Sequence, residues 1–488
     1  MVDPRQASRT RATFAVLMVA VIAYSLLQSL VLPVLPTIQH GLHTSQNTVT
    51  WVLTAYLLSA SIFTPIMGRL GDMFGKESML VIALIALAVG SALAALAGSI
   101  GLMIFARVIQ GIGGGVLPLS FGIVRDEFPE ERVAGIVGIL AGLTAAGGGL
   151  GIVVAGPVVR ALDYHWLFWI PMFALAAAAV AAHLVVPRST NRSPGRLSPP
   201  AIVLLSAWLV ALLLGVSEAP DWGWGSPRVV GLLALAVVLC VVWIVVETKS
   251  AHPLIDMNMM RIPVVWTTNL VAFLFGVSLY ATSAFVPEFL QTAPSHGYGF
   301  GATITRSGLL MLPMGAVMFV LSFASGRLTS RFGGKLLLLT GTTASIGTFT
   351  MLTFAHGSQW EILVAMTFQG VGFGLGFAAM SSLVVEGVPP HQTGVASGMN
   401  ANIRTIGGSI GAAVVSTVIT ASAHHGGVPT EAGYTHGFGL LAVATVATAL
   451  AALLVPATRR PITEAERRQA HAELGLVAAG TLVGSDPE

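Results

Sequence analysis

Polar and apolar positions along this chain fall into long blocks rather than short alternations. Runs of uncharged, mostly apolar residues are separated by brief links that carry most of the charges and prolines. The runs lie at approximately 14–34, 50–70, 78–98, 102–122, 133–156, 166–186, 201–217, 229–246, 264–286, 306–325, 335–355, 361–384, 395–420 and 435–455. About 20 apolar residues in a helix are long enough to cross the hydrocarbon of a bilayer. Backbone groups there find no water, so runs of this length predict helices that satisfy their own amides and carbonyls. The pattern predicts an all-α polytopic membrane protein with fourteen spans.

One link stands out because it occurs twice. GRLGDMFGK (Gly68 to Lys76) places Arg69, Asp72 and Lys76 in a short turn between two apolar runs, and GRLTSRFGGK (Gly326 to Lys335) repeats it with Arg327 and Arg331. In each copy a second Gly, Gly75 or Gly333, follows the first by seven positions. Gly permits a tight turn there while the charges meet water or helix ends. A second echo pairs RVIQGIGGG (Arg107 to Gly115) with MTFQGVGFG (Met366 to Gly374) at nearly the same offset. Repeats of this kind predict two related six-helix units flanking an extra pair of helices. The expected divisions are a leader (1–13), a first six-helix half (14–186), the linker with additional helices seven and eight (187–263), a second half (264–455) and a tail (456–488). The Pro-rich stretch Pro187 to Pro200 reads as the link into the extra pair, and TEAERRQAHAEL as a small helix starting near Thr463.

Composition narrows the class. The chain is 55% hydrophobic and 9% charged, with a mean hydropathy of +0.83, whereas soluble domains carry about 25% charged residues. A pI near 9.2 is explained by arginine in loops, not by a nucleic-acid partner. If both termini face the cytoplasm, nineteen Lys and Arg fall on that side and only Arg160, Arg228 and Arg306 on the other. That asymmetry is the positive-inside pattern. The single Cys240 sits within an apolar run and has no partner, which excludes a disulfide framework. No small-residue cleavage pattern follows the first run, which therefore reads as a spanning helix and not a removed signal peptide.

Arg107 and Arg404 are the two basic residues well inside runs. A guanidinium in hydrocarbon is costly, so each faces a cavity or pins helices together through carbonyls and side-chain oxygens. Gln110 shares a helical face with Arg107 beside the small residues Gly111, Gly113, Gly114 and Gly115. The Gly clusters lack the preceding strand and the terminal Gly-Lys-Ser/Thr of a nucleotide loop, so close helix packing accounts for them. Glu288 falls near the outer end of its run, Asp163 and His165 in an outer loop, and the pair His424 and His425 lacks further ligands for a metal. No nucleophile, base and acid constellation is assignable, so no enzyme, cofactor or metal centre is expected. Trp51, Tyr56, Phe275, Tyr280, Phe285 and Phe373 are candidates for an apolar chamber.

These motifs together resemble the major facilitator superfamily, and within it the fourteen-helix drug:proton antiporters. Gly68, Asp72, Gly75 and Lys76 match the family's loop between helices two and three, and Arg107, Gln110, Gly111 and Gly113 its helix-four motif. YHWLFWIP is similar to the entry into helix six. The stretch Pro389 to Val414, with Gly394, Ser397, Gly398, Arg404, Gly407, Gly408 and Gly411, resembles the signature of helix thirteen. Two positions depart from the pattern: Leu27 stands where helix one often carries Asp, and Gly148 replaces the Pro of the helix-five motif.

The resemblance implies a secondary transporter of the bacterial cytoplasmic membrane with both termini cytoplasmic. It would export hydrophobic or amphipathic organic compounds by alternating access, with protons as the coupling ion and lipids as surroundings, and is compatible with a monomer. Arg107, Gln110, Gln369, Arg404, Glu288 and Tyr280 are the expected substrate and coupling path. Gly68, Asp72, Gly75, Lys76, Arg327 and Arg331 are the expected cytoplasmic gate. The rival readings are a dedicated exporter of one metabolite or lipid-like product without proton coupling, and a receptor or scaffold that moves nothing.

Overall fold

The computed structural model describes residues 4–44, 46–189, 198–250, 253–421 and 429–456. The pair His424 and His425 and the expected helix near Thr463 lie outside these residues, as does much of the Pro-rich link. Among the described residues every long element is helical. In chain order they are α1 (Pro4–Leu30), α2 (Gln46–Phe74), α3 (Lys76–Ala95), α4 (Ile100–Glu127), α5 (Glu130–Ala161), α6 (Trp166–Val185) and α7 (Pro199–Trp222). The rest are α8 (Pro227–Lys249), α9 (Pro263–Gln291), α10 (Ile304–Phe332), α11 (Gly334–Phe354), α12 (Gln359–Glu386), α13 (Thr393–Thr420) and α14 (Glu431–Leu454). Thirteen are long and apolar enough to cross a membrane outright, and α10, bent by 52° between Leu321 and Phe323, completes fourteen.

Within the first six helices, α1 lies against α5 and α6, α3 against α4 and α6, and α2 against α4. Within the last six, α9 lies against α13 and α14, and α11 against α12 and α14. The two groups meet where α5 packs on α10 and α12, and where α2 and α4 pack on α13. The α7–α8 pair leans on α13 and α2 through α7. Trp208 and Trp243, with ring centroids 5.9 Å apart, join Leu254, Ile255 and Met259 in an apolar cluster shared with Ile66 of α2 and Val395 and Met399 of α13.

Small residues decide how closely these helices approach. In a bilayer, helices associate by packing because lipid is as apolar as their side chains. The run after Gln110 shows this locally. Ile112–Gly115 tightens into a 3₁₀ turn, and a Cβ on Gly111, Gly113, Gly114 or Gly115 would collide with Ser59, Leu87, Thr64 or Met67. That lets α4 wedge between α2 and α3. The duplicated turn is also structural: Gly75 (φ +114°) and Gly333 (φ +80°) both adopt a left-handed backbone that favours glycine, so α3 and α11 start at once after α2 and α10.

The group contacts are glycine on glycine. A Cβ on Gly68 would stand 2.6 Å from the carbonyl oxygen of Gly394, and one on Gly326 would stand 2.8 Å from Gly135 Cα. Gly149 and Gly315 extend the α5–α10 seam further along. The Phe14 turn of α1 and the last turn of α14 lie at the end with the duplicated turns, since Lys335 Nζ donates to the Leu453 carbonyl at 2.7 Å and Phe14 packs on Phe128.

This packing predicts opposite outcomes for two glycines of the second half. Gly326→Ala forces backbone apart and should cost about 1–3 kcal/mol, whereas a Cβ at Gly347 meets nothing within 4 Å, so Gly347→Ala should be neutral or slightly stabilising. Thermal unfolding of the two purified variants checks this, and equal midpoints would sink the seam as a determinant of stability.

Candidate functional site

At the end of α2, Asp72 is fully buried, and its Oδ2 accepts from the Val395 amide at 3.4 Å in the first turn of α13. A carboxylate there meets unsatisfied amides and the positive end of the helix dipole. Lys76 Nζ, also fully buried, lies 3.7 Å from Asp72 Oδ1 and 2.9 Å from Asp126 Oδ2. Ser189 Oγ donates to the same Asp126 oxygen at 2.7 Å, and the Ser189 amide donates to Glu77 at 2.9 Å. Across the group boundary Arg125 donates to the Val385 carbonyl and, at 3.1 Å, to Thr393 Oγ1. Ser382 Oγ donates to the Ala134 carbonyl at 2.9 Å. This end of the molecule is closed by backbone contact and by polar ties between helices.

The second copy of the turn is built differently. Arg331 is exposed and lies over the Phe332 ring at 5.3 Å, and Arg327 is exposed. Polar ties to the opposite group run through Asp72, Arg125 and Ser382.

Deeper in, between the groups, lies a cavity of about 120 Å³. Tyr24, Tyr56, Tyr280 and Phe377 supply its aromatic walls, and Gln28, Asn402 and Arg404 its polar ones. The helix-thirteen glycines explain the placing of Tyr280. A Cβ on Gly407 would collide with the Phe273 backbone, one on Gly408 with the Tyr280 ring, and one on Gly411 with Val277. α9 is thereby drawn onto α13, and the Tyr280 hydroxyl reaches Thr405 Oγ1 at 3.4 Å. Arg404 lies over the Phe377 ring at 4.7 Å, and Phe377 meets Phe275 edge-on at 5.2 Å.

Arg107 is not on the cavity surface. Its Nε donates to the Val52 carbonyl at 2.9 Å and its Nη1 to Gln110 Oε1 at 2.6 Å, while Gln110 Nε2 donates to Ser91 at 3.2 Å. The guanidinium lies 4.4 Å from the Tyr56 ring centroid, so it faces the cavity through that ring. Gln369, the echo of Gln110, is fully buried with neither amide atom partnered, and Met366 occupies the position matching Arg107. Glu288 is exposed at the far end of α9, beside Tyr434. The structure thus brings together Arg404 and Tyr280 at the cavity and Arg107 and Gln110 behind Tyr56, and places Gln369 and Glu288 elsewhere. Leu27 is fully buried in the apolar core, and α5 runs through Gly148 as continuous helix.

Sequence reasoning missed Tyr24, Gln28, Phe377 and Asn402. The internal repeat held a signal for the first, since Tyr24 and Tyr280 are 256 positions apart, near the offset of the other echoes.

A helical bundle of two six-helix groups around a central cavity, closed at one end, is the architecture of a membrane transporter. Residues 17–412 match the Major Facilitator Superfamily, and the chain belongs to that family. It is 30% identical over 393 residues to the tetracenomycin C resistance and export protein of Streptomyces glaucescens, covering 79% of this chain and 71% of that one. It is 29% identical over 380 residues to the multidrug transporter protein MdtP of Bacillus subtilis, covering 76% of this chain and 69% of that one. The fold is similar to the crystal structure of the human organic anion transporter MFSD10, with a TM-score of 0.65 at 15% identity, covering 92% of this chain and all of that one.

The Arg107 geometry generates a prediction. Lysine keeps the charge but loses the planar fork that serves Val52 and Gln110 together. Arg107→Lys should insert and fold, lose about 1.5–3 kcal/mol of stability, and lose most of its flux because Tyr56 is no longer held. The check is flux per folded molecule in vesicles across imposed pH gradients. Unchanged flux and unchanged pH response would reduce Arg107 to a purely structural tie.

Proposed function

We propose that this protein exports hydrophobic or amphipathic organic compounds from the cytoplasm by alternating access, driven by inward movement of protons. The observation that carries this reading is the aromatic cavity between the two helix groups, sealed at the Asp72 end by Gly68 on Gly394 and Gly326 on Gly135. The names of the relatives, resistance and export in one and multidrug transport in the other, point the same way. In this reading residues 14–186 and 264–455 rock against each other about the cavity, with 187–263 as the accessory linker and helix pair.

The Asp72 end is assigned to the cytoplasm by the distribution of Lys and Arg. No carboxylate lines the cavity among the described residues, and the buried Asp72 carboxylate reaches across the boundary to the Val395 amide. We place proton action at that gate: a protonated Asp72 loses its attraction for the amides at the start of α13, and the closed end is released. Arg107 and Gln110 act on the same cycle by holding Tyr56 against the cavity.

A second reading, a dedicated exporter of one product, is favoured by the modest cavity of about 120 Å³, since drug-sized pockets measure about 300–1,000 Å³. A panel of aromatic amphiphiles in proteoliposomes separates the two. Flux of many compounds that rises with an inward pH gradient supports multidrug export, flux of one alone supports the second reading, and no flux sinks transport.

Two further outcomes are expected. Asp72→Asn should assemble normally but lose flux several-fold, and retention of full flux at matched protein levels would remove the gate role. In a Cys240→Ser background, Ser295→Cys should react with an impermeant thiol reagent only from outside the cell and Arg261→Cys only from the cytoplasm. Reversed labelling would overturn the orientation.

A further inference from the structure

We infer that the cavity selects organic anions: aromatic amphiphiles whose acidic group is held by Arg404. This rests on the export reading and adds the charge of the cargo to it.

The inference starts from an inventory of charge. Two chambers adjoin at Arg404, the central one and a smaller one that is lined by Pro118, Phe121, Ser397 and Asn400. Both are also lined by Phe377 and Thr144. Across the two linings Arg404 is the one formally charged side chain, and neither contains Asp or Glu. A cationic compound entering here meets a like charge with no carboxylate to offset it, in surroundings that screen poorly.

The second observation is what Arg404 touches. Its guanidinium lies on the Phe377 face and makes no hydrogen bond or ion pair among the described residues. Arg107, by contrast, spends its donors on Val52 and Gln110. A guanidinium carries five donors in a rigid fork that fits a carboxylate, and one held within a membrane span faces a partner or a cavity. The Phe377 ring satisfies the cation's face and leaves its edge for an acceptor.

The third observation is independent of charge. Asn402, 1% exposed and lining the same cavity, has neither amide atom partnered. A buried amide without partners is costly, and one lining the same cavity as the Arg404 guanidinium suits a ligand with several oxygen atoms. Tyr24, Tyr56 and Tyr280 offer ring faces for an aromatic body. At about 120 Å³ the cavity takes one ring with its acid group, and the rest of a larger compound is admitted as the helices part.

The test uses two xanthene dyes of similar shape, anionic fluorescein and cationic rhodamine 6G, with the full-length protein. Binding is read by fluorescence anisotropy in detergent and flux in proteoliposomes. Fluorescein should bind about tenfold more tightly than rhodamine 6G or better. Arg404→Gln should erase that preference, and Arg404→Lys should keep part of it, with thermal unfolding confirming that each is folded. Should Arg404→Gln not fold, Asn402→Leu replaces it and should weaken fluorescein more than rhodamine 6G. Rhodamine 6G bound as tightly or more tightly, or a preference unchanged in Arg404→Gln, overturns the inference while leaving export intact. Absence of both binding and flux for both dyes overturns the inference together with the export reading.

Discussion

The separation of the two helix groups is set where backbone meets backbone, Gly68 on Gly394 and Gly326 on Gly135. No side chain stands between the helices at either crossing, so α2 approaches α13, and α10 approaches α5, as closely as helices can. Hydrophobic burial supplies little preference among helix partners in a bilayer, and such close packing supplies it instead. The two crossings occupy matching places in the internal repeat, and together they close one end of the cavity. Elsewhere the same logic recurs with single glycines under larger neighbours, as where Tyr280 rests on Gly408.

The duplicated turn shows how one motif takes on two duties. In the first copy Asp72 reaches the amides of α13 and Lys76 is buried between Asp72 and Asp126. In the second copy the position matching Asp72 is Ser330, and Lys335 instead holds the Leu453 carbonyl near the end of α14. The backbone device, a left-handed glycine that starts the next helix, is common to both. The buried carboxylate at the start of another helix belongs to the first copy, because Ser330 stands where Asp72 would be.

The two intramembrane arginines make the same distinction. Arg107 is surrounded by acceptors from its own helix group, and its influence on the cavity passes through the Tyr56 ring. Arg404 faces the boundary between groups, where its neighbours are rings and its donor edge is open. Identical chemistry thus sits in two different settings, tied to acceptors in one place and turned toward the cavity in the other, because the partners differ.

The sequence by itself determined the fourteen apolar helices, the duplicated turn, the echo of Gln110 in Gln369 and the unusual placing of Gly68, Asp72, Arg107 and Arg404 within or beside the spans. These are legible because span length, backbone freedom and the cost of a buried charge act locally along the chain. Tertiary structure alone decided which polar side chains meet each other. Gln369 repeats the motif of Gln110 yet is sealed in a core without Arg beside it, Glu288 faces outward, and Arg331 lies on Phe332. Tyr24, Phe377 and Asn402 come to one cavity from α1, α12 and α13. An apolar run states that a helix crosses the bilayer, but its rotation about its own axis is set by the neighbours it packs against, and that rotation chooses the residues that face the cavity.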